Sequence, residues 1–242
     1  MGWYHHVPNY IFVQNGDTSP VWLSPEFLGA FAGAFFAFLF GIVSYRLIKR
    51  HERFIQHRNA LVGLERLLNE HLDIIGLNRT TALNTQRILE AHRLTHNRLI
   101  ELPVRTGLDT DLGSLDIANR YFSYARGIHR TNVDTQSMNY TLTRFEDVMI
   151  GGGTLPGENW HYITGAFAQI PGYMNKLEQE AKELLCVARI HIARLAGKGI
   201  WYANTHRDWD VSFTKEELAI EMKKLDDEIA AISKQSPSVT RG

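Results

Sequence analysis

The hydrophobic pattern of this chain begins with one long apolar run. No charged residue occurs between Phe27 and Tyr45, and the run extends to Ile48 with a single Arg near its end. As an α-helix, residues 27–48 would extend roughly 33 Å, enough to cross a hydrocarbon core of roughly 30 Å. A helix at the surface of a soluble protein keeps a polar face toward water, and this run has none. The pattern therefore predicts a single transmembrane helix over residues 26–49.

Apolar residues return at helical spacing directly after this run. They recur every seven residues at Phe54, Leu61, Leu68 and Ile75. Gly76 and Asn78 then interrupt the pattern, which predicts the end of this helix. A second helix is expected over residues 80–102, because a residue that precedes proline, here Pro103, disfavours the helical conformation.

The middle of the chain shows two shorter helical patterns. Ser114 is placed to cap a short helix, and Asn132 or Asp134 is placed to begin another. The run of glycines at 151–153 should end the second of these helices and act as a flexible hinge. No Gly-Lys-Ser/Thr sequence follows these glycines, so a phosphate-binding loop is not expected there.

The most regular pattern lies in the last third of the chain. Residues spaced alternately by three and four positions are Met174, Leu177, Ala181, Leu184, Ala188, His191 and Leu195. This spacing predicts one helix that ends near Gly197, with His191 as a buried core histidine and not a ligand. Thr214 and Glu217 form a capping box, which predicts the start of the last helix.

No convincing strand pattern occurs after residue 26. We therefore predict an all-α protein, in which a single N-terminal transmembrane helix is followed by a cytoplasmic bundle of about five or six helices. The predicted divisions are a short extracytoplasmic segment, the membrane helix, the bundle and a flexible tail, over residues 1–25, 26–49, 50–233 and 234–242.

The distribution of charge around the apolar run predicts its orientation. Asp17 and Glu26 precede the run, with no Lys or Arg. The basic residues that follow it are Arg46, Lys49, Arg50, Arg53 and Arg58. By the positive-inside rule, the N-terminus should lie outside and the bundle in the cytoplasm, at an inner or plasma membrane. The glycosylation sequons at Asn78 and Asn139 would be silent in that location.

Small residues recur at every fourth position within the apolar run. They are Gly29, Gly33, Ala37 and Gly41. Such a face lets two helix backbones approach closely, so it is a candidate helix–helix interface for self-association. The alternative is that Gly and Ala are simply frequent in membrane helices.

The composition limits the chemistry that the chain can perform. The formal net charge is +0, which gives no general attraction for nucleic acid. Cys186 is the only cysteine, which excludes an intrachain disulfide and favours a small buried side chain. We found no nucleophile elbow, Walker loop or zinc-ligand spacing. No catalytic, cofactor-binding or metal-binding residue is predicted.

One segment combines aromatic, basic and acidic side chains at high density. This candidate binding loop comprises Trp201, His206, Arg207, Asp208, Trp209 and Asp210. Aromatic side chains supply apolar area for a ligand, while charged groups fix its orientation. The alternative is a loop that packs against the end of the bundle.

Two functions remain open at this point. The first is a membrane-anchored, non-enzymatic protein that self-associates and acts as a scaffold or as a membrane-perturbing effector. Its partners would be membrane lipid and either further copies of the chain or other subunits of a membrane complex. The second is a membrane-tethered enzyme or ligand sensor that uses the candidate binding loop.

Overall fold

A computed structural model describes residues 24–105, 107–108, 112, 115–206, 209 and 211–235. Those residues form five α-helices and no strand, which confirms the all-α class. The helices are α1 (Pro25–Glu90), α2 (Leu115–Ile150), α3 (Gly157–Leu195), α4 (Ile200–Thr205) and α5 (Lys215–Gln235). The chain divides into two compact units, Met1–Ile48 and Lys49–Gly242, and α1 contributes residues to both.

The first unit contains the apolar part of α1. The amide of Phe27 donates a hydrogen bond of 3.2 Å to Ser24 Oγ, so a serine side chain satisfies one free N–H at the start of the helix. An 18-residue window of this helix has a mean hydropathy of 2.1, and none of it is buried. Among the described residues, α1 is the one helix with the length and composition to span a membrane.

The second unit begins with the continuation of α1, which is longer than the sequence pattern predicted. The predicted break at Gly76 and Asn78 was wrong, because the helix continues to Glu90. Six of its fully buried apolar residues keep the seven-residue spacing throughout: Phe54, Leu61, Leu68, Ile75, Ala82 and Leu89. Three residues further along in each repeat, the buried residues are His57, Leu64, His71, Asn78 and Thr85. One edge of the buried stripe is therefore mostly polar.

The second predicted helix, over residues 80–102, was wrong beyond Glu90. His92 adopts a positive φ of 51°, the amide of Arg93 donates to the Ile88 carbonyl, and the amide of His92 donates to the Leu89 carbonyl. These two bonds form a Schellman motif, in which a left-handed residue ends the helix. Residues 93–105 then run without helix.

The middle of the chain forms one helix where two were predicted. The break expected near Asn132 was wrong, because α2 is continuous from Leu115 to Ile150. The predicted end of this helix at the glycines was confirmed. The amide of Gly153 donates to the Val148 carbonyl at 2.9 Å, and Gly152 has a φ of 77°, which L-residues with a side chain rarely adopt.

Helix α3 packs against α2 and against α5. All seven residues of its predicted stripe are buried, including His191, and Gly197 follows its end at a φ of 72°. The capping box of α5 was also confirmed. The Thr214 amide donates to Glu217 Oε2 at 2.8 Å, and the Glu217 amide donates to Thr214 Oγ1 at 3.2 Å.

Arg189 on α3 connects three helices through its guanidinium. Its Nε lies 3.1 Å from Glu65 Oε1 on α1, and its Nη1 lies 2.9 Å from Glu228 Oε2 on α5. Because one planar cation pairs with carboxylates from two other helices, it fixes α1 and α5 against α3.

Candidate functional site

Three asparagines hold the extended segment 93–105 between α1 and α2. Each side chain accepts a hydrogen bond from one backbone amide of the segment and donates one to the carbonyl of the same residue. The pairs are Asn78 with Ile100, Asn132 with Leu102, and Asn139 with Leu99, at 2.7–2.9 Å. We call this arrangement the asparagine clamp. The clamp gives hydrogen-bond partners to backbone amides and carbonyls that belong to no helix or sheet.

A buried histidine contributes one further bond to the same segment. His71 Nε2 lies 2.8 Å from the Pro103 carbonyl, and His71 Nδ1 lies 3.0 Å from the Tyr124 hydroxyl. A carbonyl can only accept, so Nε2 carries the proton, and in the neutral ring Nδ1 accepts from Tyr124. Burial lowers the pKa of His71, and the bond to Pro103 opposes this shift. The geometry therefore selects a neutral, structural histidine.

The lowered pKa of His71 predicts that the bundle loses stability in mild acid. The unfolded chain takes up this proton near pH 6.5, whereas the folded chain does so at a lower pH. The contribution of His71 is therefore complete above about pH 6.5 and is lost as the pH falls toward the pKa of the folded state. We expect the free energy of unfolding, measured by urea titration in detergent, to fall less between pH 7.5 and 5.5 in His71→Gln than in wild type.

The exposed His129 on α2 provides the control for this pH experiment. His129→Gln should keep the full wild-type dependence on pH. An unchanged pH dependence in His71→Gln would show that the acid sensitivity of the bundle comes from other groups.

The candidate binding loop lies against the part of α1 that follows the apolar run. Phe54 is fully buried, and its ring lies 5.9 Å from the Tyr202 ring and 5.6 Å from the Trp209 ring. The His57 ring stacks on Trp209 at 5.7 Å. The indole Nε1 of Trp209 donates to the Ala203 carbonyl at 3.2 Å. The ring and the N–H group of Trp209 therefore both have partners within the protein. We call Phe54, His57, Tyr202 and Trp209 the aromatic cluster.

Of the other predicted members of the loop, the two that the structure describes, Trp201 and His206, do not share one site. His206 stacks on Tyr202 at 4.0 Å, and its carbonyl accepts from Arg50 Nη2 at 2.9 Å. Trp201 is 78% exposed and lies outside the aromatic cluster. Three further members lie outside the described residues: Arg207, Asp208 and Asp210.

Metal chemistry has no support from the part of the chain that the structure describes. There, no three His, Cys, Asp or Glu side chains are grouped so that they could hold a metal ion. Cys186 is fully buried, as the sequence predicted, and burial raises the pKa of its thiol to about 12. A buried protonated thiol is a poor nucleophile.

The small-residue face of the apolar helix is open. A Cβ atom built on Gly29, Gly33 or Gly41 would have no neighbour within 4 Å. Phe27, Phe31 and Phe35 form a separate stack on the same helix, with successive ring centroids 6.5 and 6.4 Å apart. At about 100° per residue, these three stacked phenylalanines lie on a different side of the helix from the three glycines.

A cleft of about 260 Å³ lies between α2 and α3. Methionine, leucine and isoleucine side chains form much of its wall. Charged side chains of both signs also line it: Arg130, Asp134, Lys176 and Glu180. The mixture favours no single charge class of ligand. Sequence analysis did not identify this cleft, because its lining residues come from α2, α3 and the segment that contains Leu99, and only the fold brings them together.

Together, these features define an all-α protein with one candidate membrane-spanning helix, a clamped extended segment and an aromatic cluster. No protein-family model, curated protein or solved structure matches the chain. Function therefore has to be inferred from the residues of the chain itself.

Proposed function

We propose that this protein is a membrane-anchored, non-enzymatic scaffold that self-associates through its apolar helix. The observation that carries the proposal is the uncovered apolar stretch of α1, where every residue from Pro25 to Arg46 is exposed. Apolar area of this extent is stable only against lipid or another apolar surface. The small-residue face supports contact with a second copy, because close backbone approach drives association in lipid.

The proposed orientation places the N-terminus outside and the second unit in the cytoplasm. The basic residues after Tyr45 support it through the positive-inside rule. The asparagine clamp is also consistent with it. Asn78 and Asn139 belong to glycosylation sequons, yet both use their side-chain amides to hold the extended segment. A glycan on either nitrogen would remove a hydrogen from that amide and crowd the clamp.

The alternative function, an enzyme or ligand sensor at the candidate binding loop, has less support. Trp209 and Tyr202 bury their rings against Phe54, so this aromatic area is already occupied by the protein. A sensor would keep such area available for a ligand.

The small-residue face provides the test of self-association. Gly33→Ile should reduce the mass of the full-length protein in detergent from an oligomer to a smaller species, as measured by light scattering. The branched side chain would separate two backbones that pack closely, and dispersion attraction falls steeply with such a gap. Membrane insertion should persist, because isoleucine is apolar.

The matched control lies on another side of the same helix. Phe35 is eight positions beyond Phe27 in the phenylalanine stack, and from Gly33 it is rotated by about 200° at about 100° per residue. Phe35→Ile should leave the mass unchanged. The proposal fails if wild type is monomeric or if Gly33→Ile keeps the wild-type mass.

A further inference from the structure

A pair of exposed apolar side chains begins the short helix α4. Ile200 is 40% exposed and Trp201 is 78% exposed, although Ala203 in the same helix is fully buried. Lys198 precedes the pair, and its Nζ lies 5.3 Å from the centre of the Tyr202 ring. We call Lys198, Ile200 and Trp201 the α4 surface. An exposed tryptophan beside a lysine combines an apolar body with a cation at one point of the fold.

This surface is held against the first residues of the second unit. Arg50 Nη2 donates to the His206 carbonyl at the end of α4, and Phe54 packs on Tyr202 within α4. Arg50 follows Ile48, the last residue of the apolar run, by two positions. The chain therefore brings α4 to the part of α1 that comes directly after the candidate membrane span.

The charge of this part of α1 is strongly positive. From residue 46 to residue 58 the sequence contains five Lys or Arg residues and one acid, Glu52. Glu52 is paired with Lys49 at 3.5 Å, and Arg53 is exposed. Clusters of basic residues beside a membrane helix attract anionic lipid headgroups.

We infer that the α4 surface binds the headgroup region of an anionic lipid bilayer. This inference rests on the proposed membrane anchoring of the apolar run. Tryptophan prefers the boundary between hydrocarbon and water, where its ring is buried and its N–H is hydrated. Trp201 and Ile200 enter that boundary, while Lys198, Arg50 and Arg53 contact phosphate groups. The contact gives the second unit a further attachment to the membrane.

The test places a spin label at residue 200 of the full-length protein in nanodiscs of mixed anionic and zwitterionic lipid. Ile200→Cys provides the attachment point and keeps Trp201. The native Cys186 should remain unlabelled, because it is fully buried and burial raises the pKa of its thiol to about 12. Co-elution of the protein with the nanodisc tests anchoring separately from the inference.

We expect the label at residue 200 to be several-fold more accessible to oxygen than to a water-soluble nickel chelate. Tyr162→Cys is the matched control. Tyr162 is 74% exposed and lies two positions from Trp160, whose ring contacts His92 at the far end of α1. A label there should favour the nickel chelate.

Two further measurements distinguish contact with lipid from contact with another protein chain. Lys198→Glu, or discs without anionic lipid, should move the label at residue 200 toward water, because the headgroup attraction is lost. The inference is overturned if co-eluting protein gives the same accessibility ratio at residues 200 and 162. It is also overturned if the label at residue 200 is shielded from both reagents, which would indicate contact with a second protein chain.

Discussion

Replacing Phe54 with alanine should lower the free energy of unfolding of the second unit by about 3–5 kcal/mol. Phe54 is fully buried, and its ring contacts both Tyr202 and Trp209. The variant loses the apolar transfer energy of the ring and leaves a cavity between α1 and the candidate binding loop. Urea denaturation of the full-length protein in detergent, followed by circular dichroism, measures the loss.

The same variant should release the loop. Hydrogen exchange of the peptide that covers residues 199–206 should accelerate more than exchange of α5, because α4 loses the ring that holds it. Phe122→Ala is the matched control. Phe122 is 52% exposed and faces the Arg126 guanidinium, so its loss should cost about 1 kcal/mol or less.

The outcome decides between the two roles of the loop. Equal exchange in Phe54→Ala and wild type would mean that the aromatic cluster does not hold α4, and the loop would again be a candidate ligand site. Faster exchange with lower stability supports a structural loop.

Replacing Asn132 with alanine should lower the free energy of unfolding by roughly 2–4 kcal/mol. Asn132 Oδ1 accepts from the Leu102 amide and Asn132 Nδ2 donates to the Leu102 carbonyl, each at 2.8 Å. Leu102 is 2% exposed, so both of its main-chain groups would be left buried without these bonds. A buried polar group that loses its partner costs about 1–3 kcal/mol.

Two further variants make the experiment on the asparagine clamp specific. Asn132→Asp keeps an oxygen for the Leu102 amide but directs a second oxygen at the Leu102 carbonyl, so it should also destabilise. Asn119 is exposed on the same helix, and Asn119→Ala should change stability by about 0.5 kcal/mol or less. A loss in Asn132→Ala no larger than in Asn119→Ala would show that solvent satisfies Leu102 equally well.

Apolar spacing alone predicted the fold class and much of the core. The seven-residue repeat of α1 and the stripe of α3 depend on the period of the helix, which a single sequence contains. The glycine ends of α2 and α3 were also predictable, because glycine adopts positive φ without steric cost. The end of α1 was not, because His92 occupies that conformation where a glycine or asparagine is usual.

The polar residues of α1 explain why its length was underestimated. Asn78 interrupts an apolar pattern, and such an interruption predicts the end of a helix. It is buried at 1% exposure because its neighbour in the fold is extended backbone, whose amides and carbonyls require polar partners. A sequence shows that such a residue is polar, but it does not show which part of the chain it faces.

The candidate site could be predicted only in part for the same reason. The density of aromatic and charged residues predicted the candidate binding loop from Trp201 to Asp210. Its partners Phe54 and His57 lie about 150 residues earlier, and no local pattern connects them. All members of the small-residue face belong to one helix, so their spacing of four residues could be recognised in the sequence alone.

The asparagine clamp makes the extended segment tolerant of sequence drift. Its bonds reach main-chain atoms, so they do not depend on which side chains residues 99, 100 and 102 carry. Ile100 is 44% exposed, and any amino acid that retains an N–H can occupy its place in the clamp. Proline alone lacks that donor. Substitutions at exposed positions of the segment, such as Ile100, should therefore leave the clamp intact, whereas Leu99 and Leu102 are also held by their burial in the core.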